Sequence, residues 1–284
     1  HFARSKADPC LYFKWDAKFG LLVIISWIDD LAILGTRAGV EATKDELFKH
    51  FDCDDTGEMK EYVGNKVERL DSAVKLTQPV LLQSFTDEFE LQRDHKVKNP
   101  AIPGSVLHPT EGKLSSDDMF TYRSGTGKLL HLMEWSRPEI GNSVRELSRY
   151  MSAAGMSHMK AMYRVMNYCL NTSGRGKVFK PRRTCTPEAM AEFEFVVDGY
   201  SDSDYAKDPV KRRSVSGFCS FIEGCVLNTK SRMQPITSLS VTEAELVAAT
   251  ECAQDLLYVK HVMESIGLKV RLPMNLNIDN SGCI

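Results

Sequence analysis

Gly199-Tyr-Ser-Asp-Ser-Asp-Tyr-Ala206 decides how the last third of the chain is read. It follows an alternation of Phe193, Phe195 and Val197, which places Asp202 near a strand. Ser214 to Ile222 and Cys225 to Arg232 make two further strands, with Glu223-Gly224 as the turn between them. Ser240-Val-Thr-Glu-Ala-Glu-Leu-Val-Ala248 then opens a helix of about twenty-five residues. Met274, Leu276 and Ile278 alternate in a last strand that ends at Asp279. Strands, a long helix and a further strand indicate a separate α/β unit.

Asp202, Glu245 and Asp279 each sit where this patterning brings carboxylates together. Two-metal phosphoryl chemistry needs such a cluster, because two divalent ions about 3.5–4 Å apart must be neutralised while water is activated and the leaving oxygen is stabilised. The three acids therefore point to a divalent-metal site that cuts a phosphodiester. Helix capping competes for the glutamates, since Ser240-Val-Thr-Glu243 and Thr242-Glu-Ala-Glu245 both match a capping box. If Ser240 caps, Glu243 is its partner and Glu245 is free to face the sheet. Asp204 and Asp208 read as turn formers before Pro209.

Upstream, Gly20 to Ile28 and Leu31 to Leu34 read as two strands buried on both faces, with Asp29-Asp30 as their turn. Thr43 to Phe51 has helical spacing with Leu47, Phe48 and Phe51 on one side. Tyr62 to Leu70 and Ala73 to Leu76 form a hairpin around Asp71-Ser72, and Pro79 to Leu91 is a helix with Leu82, Phe85 and Phe89 inward. Residues 99–116 are a linker by their Pro, Gly and Ser content.

A helical region follows. Ser136-Arg-Pro-Glu139 supplies a capping box, and Ile140, Val144, Leu147 and Met151 recur at helical spacing. Arg145 and Arg149 lie on another face, free for solvent or phosphate. Ser157 to Leu170 buries Met159, Met162 and Met166 and carries Lys160 and Arg164 one turn apart. Residues 1–122 hold 15 Lys+Arg against 21 Asp+Glu, whereas residues 123–183 hold 12 against 3. Such an excess marks either a polyanion-binding surface or a solvated basic face.

With 284 residues, 43% hydrophobic and 26% charged, the chain has the composition of a globular protein of two domains or subdomains. No apolar run approaches the ~20 residues of a membrane helix, and the first twenty residues lack a signal core. Eight cysteines without a CxxC pair read as reduced, mostly buried thiols of an intracellular protein. Beginning at His1 and ending just after a strand, the sequence reads as a segment of a longer polypeptide.

The motifs at 199–206, Arg212 to Phe218, 240–248 and Asp279-Asn280 resemble the RNase H domain of copia-type LTR retrotransposon polyproteins. Arg123, Ser124 and Gly127 with Ser136-Arg-Pro-Glu-Ile140 resemble the connecting region of that family. Asp8-Pro-Cys-Leu-Tyr12 and Trp27-Ile-Asp-Asp30 resemble the second half of its reverse-transcriptase palm. The resemblance implies a mixed α/β and α+β architecture: a partial palm at 1–78, a thumb-like helix and linker at 79–118, a basic helical connection at 119–190, and an incomplete RNase H-like unit at 191–284.

It further implies Mg2+ or Mn2+ held by Asp202, Glu245 and Asp279, and Asp29 with Asp30 as the paired aspartates of a polymerase. RNA–DNA hybrid and template-primer would be the partners. Arg145, Arg149, Lys160, Arg164, Lys211, Arg212 and Arg213 would hold phosphates without reading sequence. Trp27 stands where the family carries tyrosine. An earlier palm aspartate is expected before His1 and a last helix with a fourth ligand after Ile284, so a flanking segment or partner chain would complete both sites. The competing expectation is a catalytically incomplete, nucleic-acid-binding remnant.

Overall fold

Strands β1 (Ala3–Arg4), β2 (Leu11–Asp16), β3 (Gly20–Trp27) and β4 (Asp30–Leu34) form an antiparallel meander in that order. The computed structural model describes residues 1–283. The turn of the β3–β4 hairpin is Ile28-Asp29, one residue earlier than the sequence pattern predicts. Asp30 already pairs with Trp27, and Ile28 takes a left-handed φ of 53°. The strands are not covered on both faces: Leu22, Val23, Ile24 and Ala32 are buried, but Trp27, Leu31 and Leu34 are exposed. A continuous apolar run cannot distinguish a central strand from the edge strand that β4 is.

Helix α1 (Arg37–Phe48) starts earlier than the apolar spacing indicates, because Thr36 caps it by accepting from the Gly39 amide. Gly39 and Thr43 face inward, whereas Phe48 and Phe51 are exposed, contrary to the expected apolar face. A second antiparallel sheet combines β5 (Glu61–Tyr62), β6 (Asn65–Leu70) and β7 (Ala73–Thr77) with β8 (Lys177–Phe179). The Asp71-Ser72 turn is as expected, with Leu70 paired to Ala73. Lys177 to Phe179 forms a strand that supplies the hydrogen bonds β7 lacks on its outer side.

Helices α2 (Pro79–Phe89), α3 (Ser116–Trp135), α4 (Gly141–Ser148) and α5 (Met156–Asn171) share one core, in which Phe85, Leu132, Ile140, Val144 and Met162 are almost fully buried. Gly125 sits where α3 meets α5, and a Cβ there would lie 2.5 Å from the Met162 sulfur. The Ser136 capping box does not form: Ser136 ends α3 and its hydroxyl donates to Gln78 Oε1 at 2.7 Å. The Pro138–Ile140 turn is instead entered from Arg137, whose side chain is buried.

His158 gives this helical core a pH dependence. Buried and stacked on Tyr150 at 4.0 Å between ring centroids, it accepts the Gly155 amide on Nδ1. Burial holds its pKa below the ordinary 6.5. A depressed histidine pKa means that the unfolded chain binds more protons, so its stabilisation is complete above about pH 6.5 and is lost as pH falls through the folded value. Urea midpoints between pH 7.5 and 5.5 should therefore fall more steeply for the wild type than for His158→Gln, and parallel slopes would contradict this.

The C-terminal sheet has the order β12 (Cys225–Met233), β11 (Val215–Ile222), β10 (Val197–Asp204), β14 (Asn275–Ile278), antiparallel except for the β10–β14 pair. Period-two alternation sends Val197, Gly199 and Ser201 under helix α6 (Val241–Ser265), where a Cβ on Gly199 would meet Cys252 and Leu256. Tyr200 and Asp202 emerge on the opposite face and are exposed. Short strands β9 (Glu194–Phe195) and β13 (Lys269–Val270) pair beside this core.

The first sheet docks on the end of α6. Leu11, Val23 and Ile266 form one apolar cluster, and the Trp15 indole donates to the Ile266 carbonyl at 2.9 Å. Gly267 approaches that indole so closely that a Cβ would lie 2.5 Å from Nε1. No helix among the described residues is long and apolar enough to cross a membrane. All eight cysteines are unpaired; Cys169, Cys225 and Cys252 are buried, while Cys10 and Cys53 are exposed.

Candidate metal centre

Asp202, Glu245 and Asp279 converge, with one carboxylate oxygen of each lying within 4.8 Å of the others. Asp202 comes from the outer face of β10, and Asp279 follows the end of the neighbouring parallel strand β14. Glu245 comes from the second turn of α6. That turn is fixed by Ser240, whose Oγ accepts the Glu243 amide at 3.1 Å. Glu243 closes the cap by accepting from Leu239 N, one residue before the predicted partner, which leaves Glu245 directed at the sheet.

Glu245 is 3% exposed, and its two oxygens are treated differently. Oε1 accepts from the Ser203 amide at 3.1 Å and the Ser203 hydroxyl at 2.7 Å, whereas Oε2 is buried without a partner. A buried carboxylate oxygen left unpaired beside two more carboxylates is costly unless a cation accompanies it. This donor set, oxygen only with one orphaned atom, fits a hard divalent cation such as Mg2+ or Mn2+. Cys283 registers the negative field: burial first, then the charges of Glu245 and Asp279, push its thiol pKa up.

Two supports were not visible in the motifs. Ser203 orients Glu245, and the period-two pattern that puts Ser201 under α6 would have placed Ser203 there as well. Gln234, fully buried, donates to Ser216 Oγ at 3.0 Å and to the Ala244 carbonyl at 2.8 Å, tying the start of α6 to β11. Nothing in its local sequence distinguishes it from a surface glutamine.

Over 275 residues the chain is 26% identical to the Retrovirus-related Pol polyprotein from transposon TNT 1-94 of Nicotiana tabacum, covering 94% of this chain and 20% of that protein. It is 23% identical over 282 residues to the corresponding polyprotein from transposon RE1 of Arabidopsis thaliana, covering 99% and 18%. The chain belongs to the copia-type retrotransposon Pol family. It spans about a fifth of the length of these Pol relatives. A further relative, Secreted RxLR effector protein 161 of Plasmopara viticola, is 32% identical over 138 residues, which are 49% of this chain and 90% of that protein. No protein-family profile and no solved structure matches.

In this Pol-family chain the other expected site residues are arranged differently from the trio. Asp29 and Asp30 lie exposed at the β3–β4 turn, and among the described residues no third His, Cys, Asp or Glu joins them. Arg145 and Arg149 do not face open solvent, which corrects the expectation for that helix face. Arg145 is 8% exposed and donates to Ser231 Oγ at 3.0 Å and Asn142 Oδ1 at 2.5 Å, while Arg149 reaches Glu146 and Asp208 at 3.0 and 3.4 Å. Burial lowers the Arg145 pKa, against the pull of Glu146. Asp208 forms the turn expected of it: burial would raise its pKa, but the Val210 and Lys211 amides and Arg149 lower it.

Much of the basic excess of residues 123–183 is thus consumed internally. Lys128 pairs with Glu88, Arg183 with Glu223, and Lys177 donates to the Leu227 carbonyl. Among the described residues, Lys160, Arg164, Lys180 and Arg182 have no ion-pair partner. Nor do Lys211, Arg212 and Arg213, on the loop that leaves β10 two residues beyond Asp202.

Proposed function

We propose that the chain, from residue 191 onward, is an RNase H-like unit that cleaves the RNA strand of RNA–DNA hybrids. Residues 1–78 are then a partial reverse-transcriptase palm, 79–118 a thumb-like helix and linker, and 119–190 the connection. The observation that carries this reading is the meeting of Asp202, Glu245 and Asp279 around a buried, unpartnered carboxylate oxygen. Divalent Mg2+ or Mn2+, when bound, supplies the charge that activates water and stabilises the leaving oxygen. Asp202 and Asp279 would hold it from the sheet, and Glu245 from the helix. Ser203 fixes Glu245 in the rotamer that points there, and Lys211, Arg212 and Arg213 offer charges to the strand backbone beside it.

Incubating the full chain with a labelled RNA–DNA hybrid and Mn2+ or Mg2+ tests this. RNA-strand cleavage is expected only with the metal, and Asp202→Asn should lower it about a thousandfold, as the loss of a key electrostatic group does. Hybrid affinity should fall steeply with added salt. Metal-independent cleavage, or cleavage indifferent to Asp202→Asn, would refute the reading.

A further inference from the structure

Asp202 and Asp279, with a Glu245 oxygen within 4.8 Å of theirs, border a groove of about 770 Å³ on the outer face of the C-terminal sheet. The row Asp202, Gly217, Ser231 crosses that sheet from β10 to β12, where Arg145 of α4 donates to Ser231 at 3.0 Å. The turn that carries Pro138 and Glu139 into α4 therefore walls the groove on the β12 side. With strands about 4.8 Å apart, the two acidic borders are on the order of 10 Å from each other. Between them the lining is mainly apolar, with Val226, Ile278 and the Tyr200 ring. We propose that this groove binds an organic dication, an α,ω-diamine of the short polyamine class, with one ammonium among the three carboxylates and the other beside Glu139. The inference rests on reading the trio as a cation site and adds a ligand that competes there with the metal.

Hydrogen bonding selects an ammonium at the acid border. It carries three donors and no acceptor, one donor for each carboxylate. At about 2.8 Å per charge-assisted bond, its tetrahedral fan sets three acceptors about 4.6 Å apart, which the 4.8 Å limit on the carboxylate oxygens accommodates. Glu245 Oε2, buried without a partner, gains the donor it lacks. The rest of the groove selects for a chain with a second charge. Apolar lining covers methylenes, and Gly217 leaves the floor bare between the borders, since a Cβ there would meet nothing closer than 3.8 Å. Tyr200 is 52% exposed in the middle of its strand and stands edge-on to Phe221 at 5.6 Å, so its face is open to a cation. Glu139 gives one oxygen to Arg137 at 2.7 Å and remains 37% exposed, which leaves it charge to share. Lys230 also borders the groove, but its ammonium lies over the ring of Phe218, which pairs with Ser201 on the α6 side.

Competition in the full chain, without nucleic acid and at constant ionic strength, tests this. Mn2+ taken up by the protein leaves the free-ion spin-resonance spectrum, and 1,5-diaminopentane is expected to restore that signal saturably. Calorimetric titration of the metal-free protein gives diamine affinity directly. It should rise about threefold per methylene from 1,3-diaminopropane to 1,5-diaminopentane as the groove covers the chain. The monoamine 1-aminopentane, with nothing to offer Tyr200 or Glu139, should bind about tenfold more weakly than 1,5-diaminopentane. Tyr200→Ala and Glu139→Gln should each weaken the diamine about threefold and leave Mn2+ affinity unchanged. Asp279→Asn should weaken both ligands.

Mn2+ binding that no diamine displaces would overturn the dication assignment and leave the metal reading standing. Absence of binding by either ligand would overturn both. Equal affinity for 1-aminopentane and 1,5-diaminopentane would remove the second ammonium and refute a two-ended ligand. Diamine binding indifferent to Asp279→Asn would move it elsewhere on the acidic surface, again against the proposal.

Discussion

Glu245→Gln is expected to abolish metal-dependent cleavage while making the metal-free protein more stable. The two effects have one cause. Glutamine retains an oxygen for the Ser203 amide and hydroxyl, so the hydrogen bonds at 3.1 and 2.7 Å survive. What disappears is a buried negative charge within 4.8 Å of two other carboxylates, repulsion that a bound cation would offset under the proposed reading. Asp202 and Asp279 are exposed and water screens them, so relief of about 1 kcal/mol is expected in EDTA, or about 2–4 °C in melting temperature.

Saturating Mn2+ should reverse the order. At a hundredfold excess over its dissociation constant, a ligand of the folded state adds about 2.7 kcal/mol, which the wild type gains and the variant largely forgoes. Cleavage should drop about a thousandfold. Melting curves in EDTA and in Mn2+, run beside the hybrid assay, check all three. A variant less stable than wild type in EDTA would mean that Glu245 is held by favourable contacts rather than kept for a cation.

That charge pattern was legible because it depends on local periodicity. The alternation around Val197 puts Asp202 on one face of its strand, and capping chemistry at Ser240 fixes where Glu245 lies on its helix turn. The Leu70–Ala73 hairpin and the inward Leu82 and Phe85 follow from equally local rules. Where the reading failed, the deciding partner was remote in sequence. Arg145 looked free on its helix face, yet Ser231, 86 residues later, receives it. Lys177 to Phe179 forms a strand only because β7, a hundred residues earlier, stands beside it. Phe48, the last residue of α1, and Phe51, beyond its end, are left exposed. Periodicity states which residues face one way; it does not state what stands opposite.

Arg137 shows how far such a hidden partnership reaches, and Arg137→Ala should be the most destabilising single change in the helical region. The guanidinium is 1% exposed. It donates to Glu139 Oε1 at 2.7 Å, to Thr172 Oγ1 at 2.6 Å and to the Thr172 and Cys169 carbonyls at 3.3 and 3.4 Å, and it lies over the Tyr168 ring at 5.5 Å. Two of those acceptors are carbonyls near the end of α5, which the helix itself cannot satisfy, so a single planar fork closes the junction of α3 with α5. Alanine leaves those acceptors buried and opens a void the size of the side chain, at a cost of about 3–5 kcal/mol. Lysine keeps the charge but not the fork and should recover less than half of that loss. Lys160→Ala, on an exposed side chain without a partner, should stay within about 0.5 kcal/mol of wild type. Urea unfolding of the three variants measures the differences. Equal stability of Arg137→Ala and wild type would show that the core, rather than the guanidinium, holds α3 and α5 together.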